Sequence, residues 1–561
     1  MYKKNLLALT YVLIVSTVIN AKELVENAHK KPRLTVIFVI DQFAYHYWTK
    51  LDKHFKYGLK TFADKGVVYN NTYFPHGGPA TGTGHTALNT GVYAKDHGIV
   101  GNSWMTPQGK KIACDEGDTQ KDAVFNPAGG IYDYGKSAQQ IMTNGISDQF
   151  VLATTPDEPH YAYSVSVKSR AAICTANKLG KALWIDSDTG LVTSSKAYFN
   201  ALPNWVIQFN QQQHTHTLRN TDWKLAYAPH DTAYRFNDLC NYAHANAKGT
   251  LLGKKPTFSH VKKHKKECEL FFSTPQANEL TFRLGKECLK RHISATDNNN
   301  ILLWVCISGL DKAGHMFGPD SVELIDMIYH LDKQLSDFMD FATAHMQTDN
   351  ILFCLTADHG IECMTELINK KGLDGARRIL SSALIERINK VIENKYGASD
   401  SIRDIKQPNL HLNNQALEAV PAQTQQEIIA DIKAHLLKTP GIKTVWTYQE
   451  LLNATFTSCE LENYFKQQLF PERSGELIIQ TYPYVIMNDD EYTKGTSHQT
   501  PYEYDTHVPL ILYNKSIGKP CTVQTKVWAL QLANTLAQLL RVSKPSSSTF
   551  EALPGALESL H

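Results

Sequence analysis

Three unbroken apolar runs, rich in β-branched residues, lead towards acids. Leu34 to Ile40 runs into Asp41, Ile301 to Ser308 leads to Asp311, and Asn350 to Thr356 ends at Ala357-Asp358-His359. A strand with one wet face alternates apolar and polar side chains; a run without alternation has both faces covered, as in a parallel sheet between helices. Shorter runs at Val67 to Tyr69, Tyr163 to Val167, Ala182 to Ile185 and Val508 to Tyr513 supply further strands. Helical patterns lie between them, at Leu59 to Ala63, at Ile379 to Tyr396, and in the stripe Val322, Ile325, Ile328, Leu331, Leu335, Met339, which Asp320 and Glu323 precede as a capping box. The expected fold is α/β, a three-layer sandwich with a mostly parallel central sheet and helices on both faces. One catalytic domain spans 22–561, with insertions at about 196–295, read as a cap over the site, and at about 375–495.

Acids at the carboxyl ends of strands mark the edge where open α/β sheets collect ligands. The stretch Pro79-Ala80-Thr81-Gly82-Thr83-Gly84-His85 brings hydroxyls, an imidazole and glycines to the same neighbourhood. It reads as a loop entering a helix near His85, where backbone N–H groups favour an anion and Thr81 meets a phosphoryl group. Asp311 and His315 stand four apart on an expected tight loop, and Asp358 and His359 are adjacent. Mixed carboxylate and imidazole ligands suit Zn²⁺, whereas a Mg²⁺ site would use fewer histidines.

The 561 residues carry a formal charge of +2, so composition gives no reason to expect nucleic acid as a dedicated partner. The short basic cluster Lys262-Lys263-His264-Lys265-Lys266 reads as a solvated loop. Lys3 and Lys4 followed by the apolar Leu6 to Ile19 read as a signal peptide over 1–21, or else an N-terminal anchor, with no membrane span in the mature chain. The protein is expected to be exported, periplasmic and monomeric. Of ten cysteines, Cys306 and Cys354 lie in strand-like runs as buried thiols, and Cys240, Cys268 and Cys288 in more polar sequence are the better disulfide candidates.

These pieces resemble the alkaline phosphatase superfamily, in particular bacterial alkaline phosphatases with a threonine nucleophile and the related type I phosphodiesterase/nucleotide pyrophosphatases. The resemblance rests on Val39-Ile40-Asp41-Gln42, Thr81-Gly82-Thr83-Gly84-His85, His97 through Trp104, Val167-Lys168-Ser169-Arg170, Asp311 through Pro319, Thr356 through Gly360, and Tyr504 through Leu510, in the family's order. It implies two Zn²⁺ ions, one held by Asp41, Asp358, His359 and the Thr81 oxygen, the other by Asp311, His315 and a late histidine. His498 in Gly495-Thr-Ser-His498 is assigned as that ligand, with His507 as its rival, because Gln499 stands where the family has glycine. Thr81 is the implied nucleophile, forming a phosphothreonine intermediate. Asn102, Lys168 and Arg170 are the implied contacts to phosphoryl oxygens.

The Lys168/Arg170 pair favours phosphate monoesters, the small-molecule substrates expected here, because a monoester carries two negative charges. The alternatives are a phosphodiesterase or nucleotide pyrophosphatase on the same two-metal site, and a catalytically silent binding protein of this fold. A sulfatase is disfavoured by the lack of a Cys-x-Pro-x-Arg segment.

Overall fold

Strand β1 (Leu34–Ile40) is buried along its whole length and paired in parallel on both sides. It is the centre of a ten-stranded sheet in the computed structural model. The structure describes residues 31–228, 231–234, 270–292, 298–346, 351–458, 460–488, 495–515 and 520–560. The N-terminal leader, the basic cluster at 262–266, Cys240 and Cys268 lie outside these residues.

The other strands of this sheet are β2 (Val67–Tyr73), β3 (His160–Ser166), β4 (Lys181–Ile185), β5 (Val192–Thr193), β6 (Asn300–Ile307), β7 (Ile351–Thr356), β8 (His507–Asn514), β9 (Cys521–Val523) and β10 (Val527–Trp528). Their order is β5-β4-β3-β6-β1-β7-β8-β2-β9, with β10 also on β2. Strands β4, β3, β6, β1 and β7 run parallel, whereas β8 runs antiparallel to both β7 and β2.

Successive side chains of β1 serve opposite layers. The Phe38 ring lies among Phe62, Phe282, Phe338 and Phe353, with centroids 5.5 to 6.3 Å away. Phe282 belongs to α3 (Pro275–His292) and Phe338 to α5 (Val322–Met346). On the other face, Trp304, which pairs with Ile37, donates its indole N–H to Ser147 Oγ at 2.9 Å. There α1 (Thr81–Thr90) and α2 (Ser169–Ala176) form the second helical layer. The expected three-layer α/β sandwich is therefore present.

Four local expectations change. Helix α1 begins at Thr81, not near His85. Asp311 and His315 lie not on a tight loop but on α4 (Gly309–Phe317), where spacing of four puts both on one face. The Ser321 hydroxyl, not Asp320, accepts from Leu324 N at 3.2 Å at the start of α5, while Asp320 pairs with Lys50 at 2.8 Å. Cys288 is a buried free thiol on the core-facing side of α3, not a member of a disulfide.

The described part of 196–295 contributes to the body of the domain. Trp223, Tyr234, Phe271, Phe282 and Leu289 join the main hydrophobic core, because α3 is an element of a helical layer. The described residues of 375–495 build a smaller lobe with its own cluster around Ile388, Ile405, Leu410, Ile432 and Leu477. A four-stranded sheet of Ile402–Lys406, Asn409–Leu412, Ile442–Thr447 and Leu477–Thr481 lies at its centre.

Candidate active site

The parallel strands deliver their acids to one edge. Asp41 N bonds Ile307 O at 3.0 Å, which sets the ends of β1 and β6 level. Asp358 and His359 follow β7, Lys168 follows β3, and Asp311 and His315 project from α4. Because β8 is antiparallel, the chain enters it at this same edge, and His498 arrives there from the segment before it.

Two groups of ligand atoms converge, Asp311 with His315 and His498, and Asp41 with Asp311 and His359. His315 Nε2 lies 3.1 Å and His498 Nε2 3.6 Å from Asp311 Oδ1. His359 Nε2 lies 3.5 Å from Asp41 Oδ1 and 3.4 Å from Asp358 Oδ2. Asp358 stands outside the two tight groups but next to both Asp41 and His359.

The three imidazoles share one arrangement. Nδ1 of His315, His498 and His359 faces the carbonyls of Thr496, Pro79 and Gly360 at 2.9, 2.9 and 3.0 Å. A carbonyl only accepts, so each Nδ1 carries the proton and each Nε2 presents its lone pair inwards, as metal-ligating histidines do. Burial, and then His498, push the His359 imidazole well below its usual pKa, which keeps it neutral.

Three buried carboxylates crowd this edge around the single Lys168 ammonium. Burial first, then the Asp311 and Asp358 charges, push the Asp41 carboxyl upward. Asp41 Oδ1, Asp358 Oδ2 and His359 Nε2 are buried without a hydrogen-bond partner. Burial would also raise Asp311, but Lys168 and His315 hold it well below the carboxylate range. Lys168 Nζ reaches Asp41 Oδ2 at 2.6 Å, Asp311 Oδ2 at 2.5 Å and Thr81 Oγ1 at 3.5 Å. Orphaned carboxylate and imidazole atoms facing one another fit a metal site.

Thr81 is the first residue of α1, between these groups and the helix N-terminus. The two glycines after it are required by close approach. A Cβ on Gly84 would sit 2.3 Å from Asp358 O, and one on Gly82 would sit 2.6 Å from Cys114 Sγ. Asn102 Oδ1 accepts from Gly82 N at 2.9 Å, which leaves its amide N–H groups as donors. Arg170, in the first turn of α2, lies in the field of Cys114, Asp115, Asp311 and Asp41, which together outweigh burial and raise its pKa.

His507 is elsewhere. Its Nε2 is 2.9 Å from Asn70 O, and its ring is stacked between Tyr45 and Tyr73 at 4.2 and 4.5 Å. Gln42 and Asp505 carry no role in the sequence reading. Gln42 Nε2 donates to Asp311 Oδ1 at 3.0 Å and its backbone N to Asp358 Oδ1 at 3.1 Å. Asp505 Oδ2 accepts from Gln499 N, Thr500 N and Thr500 Oγ1, anchoring the loop that carries His498. The position of Gln42 directly after a strand-end acid was the available signal; nothing local marks Asp505.

The family model for type I phosphodiesterase / nucleotide pyrophosphatase matches residues 35–507, which contain every residue of this site. The chain belongs to this family. It is 28% identical over 543 residues to a calcium-transporting ATPase of Myroides odoratus, covering 94% of this chain and 95% of the relative. It is 27% identical over 541 residues to the alkaline phosphatase PhoV of Synechococcus elongatus, covering 94% and 93%. It is 26% identical over 557 residues to the alkaline phosphatase PafA of Elizabethkingia meningoseptica, covering 96% of each. A crystal structure of alkaline phosphatase PafA superposes with a TM-score of 0.83 at 23% identity, covering 95% of this chain and 99% of that one, so this family member shares its fold.

Proposed function

We propose that this member of the family is an exported, periplasmic zinc-dependent alkaline phosphatase that hydrolyses small-molecule phosphate monoesters through a phosphothreonine on Thr81. The observation that carries the reading is the position of Lys168, which bridges Asp41 and Asp311 and reaches the Thr81 hydroxyl. A diester has one negative charge on phosphorus and a monoester two, so a cation at the nucleophile, with Arg170 beside it, favours the monoester.

Asp41, Asp358, His359 and the Thr81 oxygen would hold one Zn²⁺; Asp311, His315 and His498 would hold the other. Such a pair lowers the pKa of a coordinated hydroxyl and withdraws charge from phosphoryl oxygens. The chain's own groups do the rest. The start of α1 directs backbone N–H groups at the phosphoryl oxygens. The Asn102 amide, the Lys168 ammonium and the Arg170 guanidinium hold these oxygens so that the Thr81 oxygen faces phosphorus. Its bond to phosphorus forms as the bond to the leaving alcohol breaks, and water then displaces Thr81. Fixed Nδ1 protons keep the three imidazoles oriented through both steps.

The family match favours one second reading, a phosphodiesterase on the same site. The ratio of kcat/KM for p-nitrophenyl phosphate to that for bis-p-nitrophenyl phosphate, with zinc and with chelator, separates the two. A zinc-dependent ratio far above one is expected; a ratio below one assigns the diesterase; no zinc-dependent turnover of either ester leaves a silent binding protein.

A further inference from the structure

Gln42 touches both ligand groups at once. Its backbone lies in the left-handed region, at φ 71°, which favours glycine over residues with a Cβ. There its N–H donates to Asp358 Oδ1 at 3.1 Å, while its side chain donates from Nε2 to Asp311 Oδ1 at 3.0 Å. A carboxylate oxygen only accepts, so the atom facing Asp311 is the amide nitrogen, and the amide has one orientation.

The side chain has a prepared seat. Gln42 is only 1% exposed. A Cβ on Gly314 would sit 1.8 Å from Gln42 Oε1, so the lack of a side chain at Gly314 gives the amide its place against α4. Oε1 itself has no hydrogen-bond partner among the described residues. A strained backbone, a buried amide and an unpaired carbonyl all work against stability. Glycine would remove all three and keep the N–H on Asp358. What glycine would lose is the bond to Asp311.

That bond sets the direction of one carboxylate. The Lys168 ammonium, also bound to Asp41, draws Asp311 Oδ2 from 2.5 Å. Oδ1 faces His315 Nε2 at 3.1 Å and His498 Nε2 at 3.6 Å. The Gln42 amide holds Oδ1 towards these imidazoles against the pull of the lysine, and it uses one lone pair of that oxygen while leaving the other open.

We infer that Gln42 is a positioning residue for metal capture: its side chain presets Asp311 for the ion shared with His315 and His498, and its backbone N–H separately presets Asp358 for the other ion. This rests on the two-zinc reading given above.

The test is zinc affinity, read by competition with a chromophoric chelator on the full chain, with the metal-free thermal midpoint as the control for folding. Wild type should take two equivalents. Gln42→Met keeps the length of the side chain and removes the donor; it should bind one equivalent about 10- to 100-fold more weakly and the other within about twofold of wild type. Gln42→Gly, which relieves the backbone, should show the same single loss. In a His498→Ala background, where the remaining equivalent belongs to the Asp41 group, Gln42→Met should leave that equivalent unchanged. A merely structural residue would instead lower the metal-free midpoint and weaken both equivalents together. That result, loss of folding in both variants, or two equivalents bound as in wild type overturns the inference. Wild type that takes fewer than two equivalents overturns the two-zinc reading, and the inference with it.

Discussion

Lys168 Nζ stands 2.6 Å from Asp41 Oδ2, so the ammonium occupies a carboxylate that a bound metal ion would also claim. Metal that takes Asp41 and Asp311 frees this lysine for the phosphoryl group. Without metal, it is the charge that keeps the buried acids tolerable. Removing one partner of a buried pair costs about 3–5 kcal/mol. Lys168→Met should therefore lower the thermal midpoint of the chelated protein by several degrees while leaving the zinc-loaded midpoint nearly unchanged. Calorimetry of both forms checks this; an equal drop in the two would show that the lysine is structural only.

Thr81→Ala should reduce turnover of p-nitrophenyl phosphate by at least about a thousandfold, because it removes the only proposed covalent acceptor while the helix N-terminus and the cations stay in place. Acid-quenched wild-type protein should carry phosphate on Thr81 by mass spectrometry. Near-native turnover in the variant would move the nucleophile elsewhere.

Gly84→Ala should disrupt the site through Asp358. The added methyl would lie 2.3 Å from Asp358 O and 2.8 Å from its Cβ, inside hard contact. Overpacking of this kind costs about 1–3 kcal/mol. The backbone bearing Asp358 and His359 must move, so bound zinc should fall by one equivalent. Full zinc content in the folded variant would contradict the close approach.

His498→Ala and His507→Ala should differ sharply. The first removes a group facing Asp311 and should cost metal and activity together. The second removes a ring stacked between Tyr45 and Tyr73 and should cost about 0.5–1.5 kcal/mol of stability with the zinc retained. Metal analysis of the two variants decides between the histidines.

Asp115 links acid pH to stability. Its carboxylate accepts from Lys136 at 2.6 Å and Ser169 at 2.6 Å. Burial opposes ionisation, yet Lys136 and Arg170 keep its pKa below the usual value. A depressed folded pKa means that the stabilisation is complete above the ordinary carboxylate pKa and fades as pH falls through the lowered one. Asp115→Asn should flatten the acid side of the stability curve and leave its slope above about pH 6 unchanged. An unaltered acid limb would refute this linkage.

The strand-end acids were legible because each follows a continuous buried run, and that pattern places Asp41, Asp311 and Asp358 on one edge without further information. The helical face shared by Asp311 and His315 was not, since Gly309 and Gly314 make the segment look like a loop. The role of α3 was obscured by its charged and polar residues, which hide the stripe of Ala277, Leu280, Leu284 and Leu289. Choosing between His498 and His507 needed the direction of β8, which depends on pairing with β7 and β2 and leaves no local trace. Gln499 was visible as a departure from the family, but its backbone at φ 140° was not.

The antiparallel course of β8 also dictates an order of assembly. His498 reaches Asp311 only after the smaller lobe has been threaded and the strand from His507 to Asn514 has docked beside β7, more than 450 residues after Asp41 has formed its strand end. A nascent chain thus keeps an incomplete ligand set until almost all of it has emerged. The group of Asp311, His315 and His498 would thus be the last to take a metal ion, and a chain crossing a membrane unfolded would complete it only on the far side.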